Sequence, residues 1–233
     1  MTALLEARGL VRRFGGVVAL DGLDLAVAPN EILGLIGPNG SGKTTFFNVL
    51  TGLYKPSAGA VTFDGQDLFA RSPQKVAAAG IARTFQRSRL MLDQTVFDNV
   101  MLGTLRKLNL GFAANVLFRR TFRNELDSMI ERVAALLRTF NPGIAGRLFE
   151  PLGAFTMIDR RRIEICRALI GSPRLLLLDE PSAGMTHEET FRLMDDVVAA
   201  RAQNPELAIV LVEHEMNVIR RVSDRCVVLN FGL

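Results

Sequence analysis

The sequence predicts an α/β fold built around a parallel sheet, and three observations support this prediction. Short apolar runs at residues 32–36, 175–178 and 209–212 have the length and composition of strands that are buried on both faces. A segment with apolar residues at helical spacing follows each of these runs. Turns that contain glycine or proline separate several of these segments. This alternation is typical of βα units joined in one parallel sheet.

The other elements follow from the same patterns along the chain. Residues 1–30 alternate between apolar and polar, with turns expected at Gly15-Gly16 and Pro29-Asn30, which predicts a small N-terminal antiparallel β subdomain. Residues 88–165 carry apolar side chains at helical spacing, which predicts a helical insertion. The remaining elements are expected as strands at 59–64, 81–85 and 226–229 and as helices at 42–51, 157–171, 188–201 and 215–222.

The composition is that of a folded globular protein. The chain has 233 residues, of which 48% are hydrophobic and 22% charged, and this excludes a disordered or fibrous protein. No apolar run reaches the roughly 20 residues that span a bilayer, and Glu6 interrupts the N-terminal segment too early for a signal peptide. Cys166 and Cys226 lie in apolar segments, which predicts buried thiols in a reducing compartment. We therefore expect a cytoplasmic location.

A glycine-rich segment follows the apolar run at 32–36. Gly37-Pro38-Asn39-Gly40-Ser41-Gly42-Lys43-Thr44 matches the P-loop pattern Gly-x4-Gly-Lys-Thr. Its glycines permit a loop whose backbone N–H groups surround phosphate, and the helix that follows directs its N-terminal dipole at the same anion. Lys43 is expected to neutralise the β- and γ-phosphates and Thr44 to ligate Mg²⁺, and we add Thr45 to the nucleotide-binding set. The alternative is a glycine-rich turn that matches by chance.

Two further groups follow predicted strands. Asp179 and Glu180 come directly after residues 175–178, and His214 follows residues 209–212 closely. Ligands of open α/β sheets bind at this carboxyl edge. Asp179 is expected to hold Mg²⁺ through water and Glu180 to act as general base, while His214 would contact the γ-phosphate. The alternatives are an acidic turn after a core strand and a structural histidine.

Together these motifs resemble the ATPase subunit of ABC transporters, from about residue 5 to residue 232. The resemblance implies one P-loop NTPase domain with a RecA-like core and β subdomain at about 1–87 and 166–233, and a helical subdomain at about 88–165. It implies that Phe14 stacks on adenine, although a core aromatic is the alternative. It also implies that Gln86 meets Mg²⁺ and links the core to the insertion, and that His214 is the switch histidine.

Within that family, the stretches around Arg83-Thr84-Phe85-Gln86 and Val212-Glu213-His214-Glu215-Met216 look most like importers of branched-chain amino acids, amides or urea. The resemblance implies a second ATPase subunit, either a copy or a paralogue, and separate membrane permease subunits. An extracytoplasmic solute-binding protein would act indirectly. The chain is then expected to bind ATP and Mg²⁺ as a peripheral protein on the inner face of the cell membrane, with no nucleic acid as partner.

The sequence departs from the family pattern in two places. The family signature Leu-Ser-x-Gly-Gln appears here as Phe155-Thr156-Met157-Ile158-Asp159. Thr156 keeps a hydroxyl, whereas Ile158 replaces a glycine and Asp159 adds negative charge where the partner's phosphate is expected. Thr156 and Asp159 also fit a capping box for the next helix. Family members continue through further short elements beyond Phe231-Gly232-Leu233.

Two rival functions remain open from the sequence. One is a soluble ABC-type ATPase that acts on a cytosolic assembly, nucleic acid or ribosome, and the other is a regulatory subunit that binds nucleotide with weak turnover. Residues 81–170 hold 15 basic and 8 acidic side chains, so the formal charge of +4 is concentrated in the predicted insertion. That distribution favours a permease or membrane surface over nucleic acid as the partner of the basic segment.

Overall fold

The computed structural model describes residues 3–69, 71–85, 89–104 and 119–232, with side chains described from residue 125 onward in the last range. Contacts divide the chain into two compact units. The first consists of residues 1–86, 173–184 and 201–233, and the second of residues 87–172 and 185–200. The second unit therefore contains the whole segment predicted as the insertion, residues 88–165, together with residues 166–172 and 185–200.

The described residues form the following strands and helices, each set numbered in chain order. The strands are β1 (Leu5–Phe14), β2 (Val17–Val27), β3 (Ile32–Ile36), β4 (Ala58–Phe63), β5 (Gln66–Asp67), β6 (Ile81–Arg83), β7 (Leu175–Asp179), β8 (Ala208–Val212) and β9 (Arg225–Val228). The helices are α1 (Lys43–Leu50), α2 (Pro73–Ala78), α3 (Val96–Met101), α4 (Arg119–Phe140), α5 (Pro142–Ala145), α6 (Met157–Leu169), α7 (His187–Ala202) and α8 (Met216–Val222). Short 3₁₀ turns lie at Leu102–Thr104 and Leu152–Ala154.

The first unit contains two sheets. The antiparallel sheet has the order β2-β1-β4-β5, and β1 and β2 are longer than the short strands predicted, because each continues through register shifts. The parallel sheet has the order β6-β7-β8-β3-β9. One apolar core joins the inner residues of both sheets to Phe46 and Phe47 of α1. The predicted combination of a parallel sheet and an antiparallel β subdomain is confirmed.

The register of the parallel sheet places three loops at one edge. Leu35 of β3 and Asp179 of β7 both pair with Val212 of β8. The loops that follow these strands therefore begin close together, at Gly37, Glu180 and Glu213. Burial along β7 and β8 is complete, as expected for central strands with both faces covered.

The second unit is helical in its described part. Thr95 caps α3 in a capping box with Asp98, and Asn141 caps α5. Within α6, Arg161 and Glu164 form a buried ion pair at 2.8 Å. None of the helices in the described ranges is both long enough and apolar enough to cross a membrane.

One prediction about the cysteines is wrong. Cys166 is fully buried in α6, but Cys226 is exposed in β9. The reason is that β9 lies at the edge of the parallel sheet, where it pairs with β3 alone. An apolar run does not reveal whether a strand is central or at an edge.

Candidate nucleotide site

The P-loop connects β3 to α1 through backbone conformations that require glycine. Gly40 and Gly42 have φ angles of 79° and 107°, a region that residues with side chains rarely adopt. A Cβ atom on Gly42 would lie 2.5 Å from the carbonyl oxygen of Ala19, and one on Gly37 would clash with the carbonyl of Leu229. The loop therefore packs tightly against neighbouring backbone, and its shape depends on these glycines.

Lys43 is folded back over the loop. Its side chain is mostly buried, and Nζ donates hydrogen bonds to the carbonyl oxygens of Gly37 at 2.7 Å and Pro38 at 3.0 Å. Burial lowers the pKa of Lys43, and the charges of Glu180 and Asp179 oppose that shift. The ammonium group is thus held inside the loop, within electrostatic reach of both carboxylates.

The residues of this loop fit a phosphate chain. Ser41 Oγ is buried and has no hydrogen-bond partner among the described residues, so it is free to serve a ligand. The Thr44 side chain is exposed at the first turn of α1, and Thr45 is half-buried beside it. Pro38, Asn39 and Gly40 are exposed at the tip of the loop. The loop and the first turn of α1 thus offer an anion one ammonium group and three hydroxyl groups, those of Ser41, Thr44 and Thr45.

Asp179 is held by Arg83, a residue to which no sequence motif assigns a role in the site. Arg83 Nη2 lies 2.7 Å from Asp179 Oδ2, and the two side chains are 5% and 4% exposed. Arg83 also donates to Asn48 Oδ1 at 2.7 Å, and its guanidinium lies 5.3 Å from the ring centroid of Phe47. The carboxylate that is expected to face Mg²⁺ therefore has a buried cation on one of its oxygens.

Glu180 and His214 contact each other at the carboxyl edge of the sheet. His214 Nε2 lies 2.7 Å from Glu180 Oε1. Glu180 has a φ of 48°, and its N–H donates to the carbonyl of Val212 at 3.0 Å. His214 is about half exposed, whereas Glu180 is 19% exposed. The structure thus brings together Glu180 and His214, two of the three predicted catalytic residues, of which Gln86 is the third.

A second contact joins the same two loops, and no pattern in the sequence indicates it. Glu213 accepts hydrogen bonds from the N–H of Ser182 at 3.0 Å and from Ser182 Oγ at 2.6 Å. Glu213 also accepts a longer bond from the N–H of His214 at 3.3 Å. Burial raises the pKa of Glu213, and the bonds from Ser182 oppose the shift.

Phe14 lies at the end of β1 and is 39% exposed, so the alternative of a core aromatic does not apply. Its ring meets Tyr54 edge to face, with centroids 5.2 Å apart. The guanidinium of Arg12 lies 4.3 Å from the Phe14 centroid. An exposed, laterally supported ring of this kind is suited to stacking on a planar ligand.

Thr156 belongs to the second unit, where it caps α6. Its hydroxyl accepts from the N–H of Asp159 and donates to Asp159 Oδ2 at 2.9 Å. The same carboxylate accepts from Arg162 at 3.0 Å and Asn141 at 3.1 Å, so its charge is compensated locally. Ile158 is buried. The capping alternative therefore describes these residues in the structure.

Gln86 lies outside the described residues. Thr84 and Phe85, which precede it, are described, and the N–H of Thr84 donates to the carbonyl of Leu177. The role expected for Gln86 stays a prediction.

Comparison with known proteins agrees with these features. A family model described as ABC transporter matches residues 20–183. The chain is 37% identical over 229 residues to the high-affinity branched-chain amino acid transport ATP-binding protein LivG of Escherichia coli (strain K12). The matched region covers 98% of this chain and 89% of LivG. It is 36% identical over 230 residues to BraF of Pseudomonas aeruginosa, a protein of the same description, again with 98% and 89% covered.

Two solved structures are similar over nearly the whole chain. A nucleotide-free ATP-binding cassette from an ABC transporter matches with a TM-score of 0.83 at 27% identity, covering 99% of this chain and 89% of the other. The ADP conformation of an ATP-binding cassette matches with a TM-score of 0.85 at 27% identity, covering 100% and 89%. The predicted fold class is confirmed, and this chain belongs to the ABC transporter family as an ATP-binding ATPase subunit.

Proposed function

We propose that this chain hydrolyses ATP to power the import of branched-chain amino acids, or of related amides or urea, through a separate membrane permease. The observation that carries the proposal is the pairing of Glu180 and His214 at 2.7 Å, with Lys43 of the P-loop within electrostatic reach of Glu180. A carboxylate that can accept a proton from water and a lysine that can bind phosphate are both groups that phosphoryl transfer to water uses, and the histidine holds the carboxylate. The similarity to LivG and BraF supports the choice of solute class.

In this scheme the loop from Gly37 to Gly42, with Lys43, Thr44 and Thr45, binds the phosphates, and Phe14 stacks on adenine. Thr44, Asp179 and Gln86 would hold Mg²⁺, which supplies positive charge that offsets the charge of the β- and γ-phosphates when bound.

Glu180 accepts a proton from water as the water oxygen attacks the γ-phosphorus. The bond from that phosphorus to the bridging oxygen of ADP then breaks. His214 would hold the Glu180 carboxylate in place through their contact at 2.7 Å and would itself contact the γ-phosphate. Hydrolysis therefore needs the loops after β3, β7 and β8 to be correctly placed at the same time.

The partners are part of the proposal. A second ATPase subunit, a copy or a paralogue, would complete the assembly, and Thr156 would face the nucleotide bound by that partner. The two units would form a single ATPase domain, which is peripheral on the cytoplasmic face of the membrane. The family membership supports a permease partner, and the basic charge of residues 81–170 suits a surface that meets the permease and anionic lipid.

Reconstitution tests this function. The chain is co-expressed with a candidate permease, purified in detergent and placed in proteoliposomes with the matching binding protein, and ATP-dependent uptake of labelled leucine, acetamide and urea is measured. We expect the chain to purify with the permease and uptake of one solute to require ATP. Purification as a soluble complex with cytosolic proteins and no permease would contradict the proposal and favour the rival function.

A further inference from the structure

A buried carboxylate joins the two loops that carry Glu180 and His214, and the scheme above does not use it. Glu213 is only 5% exposed. Its Oε1 accepts both the N–H and the hydroxyl of Ser182, at 3.0 Å and 2.6 Å. In the described part of the chain, no basic side chain forms an ion pair with Glu213. Hydrogen bonds from Ser182 and from its neighbour His214 therefore offset part of the cost of burying its charge.

The positions of the two partners give this contact its importance. Ser182 is two residues after Glu180, and Glu213 directly precedes His214. The bond therefore crosses between the loops that follow β7 and β8, next to the pair at 2.7 Å. A shift of either loop relative to the other would separate Glu180 from His214.

The backbone of Glu180 adds a second reason. Its φ of 48° is uncommon for a residue with a side chain, and such a conformation persists only where the surroundings fix it. Two backbone hydrogen bonds stabilise the turn, from Glu180 N–H to the carbonyl of Val212 and from Ala183 N–H to the carbonyl of Glu180. The hydrogen bonds from Ser182 to Glu213 stabilise it further. Without that link, the turn has fewer contacts to offset its strain.

We propose that Glu213 is a positioning residue for ATP hydrolysis, which keeps Glu180 and His214 in contact by holding Ser182. This inference rests on the proposed ATPase function. It states that loss of the Glu213 carboxylate slows hydrolysis while the P-loop continues to bind ATP. Neither Glu213 nor Ser182 needs to touch the nucleotide for this effect.

The test measures kcat, KM for ATP and ATP affinity in the assembled transporter for four variants: Glu213→Ala, Glu213→Gln, Ser182→Ala and the double alanine variant. We expect Glu213→Ala to lower kcat by about 10- to 100-fold, the range found for residues that orient catalytic groups, with KM and ATP affinity changed less than about twofold. Glu213→Gln keeps an acceptor oxygen for Ser182 and should recover most of the rate. The double variant should lose much less than the product of the two single losses, because both remove one link.

Asp224→Ala is the matched control. Asp224 also accepts a backbone N–H, from Ile32 at 2.8 Å, but it does so at the start of β3, at the opposite end of the strand from the P-loop. Its loss should lower the melting temperature without a selective fall in kcat. Ser182→Ala provides the result if Glu213→Ala does not fold, since it removes one hydroxyl and leaves the carboxylate in place.

The outcomes separate the two proposals. Absence of hydrolysis by the wild-type transporter would overturn the proposed function itself. Hydrolysis that is lost in Glu180→Gln but unchanged in Glu213→Ala would overturn only the positioning role. A parallel loss of kcat and ATP affinity in Glu213→Ala, or strict multiplication of the two single effects, would also overturn it.

Discussion

His214 and Glu180 are 34 positions apart in the sequence, and their side chains meet at 2.7 Å through Nε2 and Oε1. The contact exists because β7 and β8 are adjacent parallel strands that end at the same level of the sheet. Two short loops then bring together an imidazole and a carboxylate, and the carboxylate is within electrostatic reach of the P-loop lysine. The parallel sheet places these groups, and the loops only orient them.

Replacing Lys43 by alanine tests the P-loop. The variant loses the ammonium group that the loop holds at Gly37 and Pro38. A hydrogen bond to a charged group contributes about 1.5–3 kcal/mol, so we expect ATP affinity to fall by roughly 10- to 100-fold. Calorimetric titration of ATP into the folded protein measures the change. Lys75→Ala, which removes an exposed lysine from α2, should bind ATP as the wild type does; equal affinities in the two variants would contradict this role.

Replacing Arg83 by methionine tests the buried ion pair with Asp179. Removing the cation leaves a carboxylate that is 4% exposed without its partner, which typically costs about 3–5 kcal/mol of folding free energy. Urea denaturation of both proteins measures this loss. Arg138→Met breaks an ion pair with Glu131 in which both side chains are more than half exposed, and it should change stability far less. An Arg83→Met protein as stable as Arg138→Met would refute the importance of the buried pair.

The two thiols should differ in reactivity. Cys166 is inaccessible, and burial, together with the charge of Asp196, raises the pKa of its thiol well above its ordinary value, while Cys226 is exposed. Since the thiolate is the reactive form, a disulfide reagent at neutral pH should modify one thiol in the folded chain and both in denaturant. Cys226→Ser should abolish the reaction of the folded protein, and rapid labelling of that variant would show that Cys166 is accessible.

Stability should respond to pH through Glu213. Because burial raises the pKa of Glu213 above that of the unfolded chain, the folded state retains a proton that the unfolded state loses as pH rises. The wild type should therefore lose stability relative to Glu213→Gln as pH increases from about 4, and the difference should level off once the folded state also ionises. Urea denaturation of both proteins across pH 4–8 measures the trend. A difference that is constant, or that changes in the opposite direction, would contradict the raised pKa.

The sequence predicts what depends on local pattern. The glycines and Lys43 of the P-loop follow from spacing alone, because a loop that wraps an anion is built from consecutive residues. The apolar runs predict β3, β7 and β8 to within about one residue of the observed ends, since central strands are apolar throughout.

Other features depend on which distant residues the fold brings together. Arg83 and Asp179 are 96 positions apart, and Ser182 and Glu213 are 31 apart, so no spacing rule predicts either bond. Exposure of Cys226 follows from the strand order, which composition does not give. For Thr156 and Asp159, the sequence allows both a capping and a ligand-facing role, and the structure adds Arg162 and Asn141 as further partners of Asp159.

Glu180→Gln tests the central claim, that Glu180 is the general base of ATP hydrolysis, most directly. The amide is nearly the same size as the carboxylate and keeps an oxygen for His214, but it does not accept a proton from water. In the assembled transporter, we expect ATP binding to stay within about twofold of the wild type and phosphate release to fall by roughly 10²- to 10⁴-fold. Phosphate release by the Glu180→Gln transporter at a rate close to that of the wild type would contradict the account.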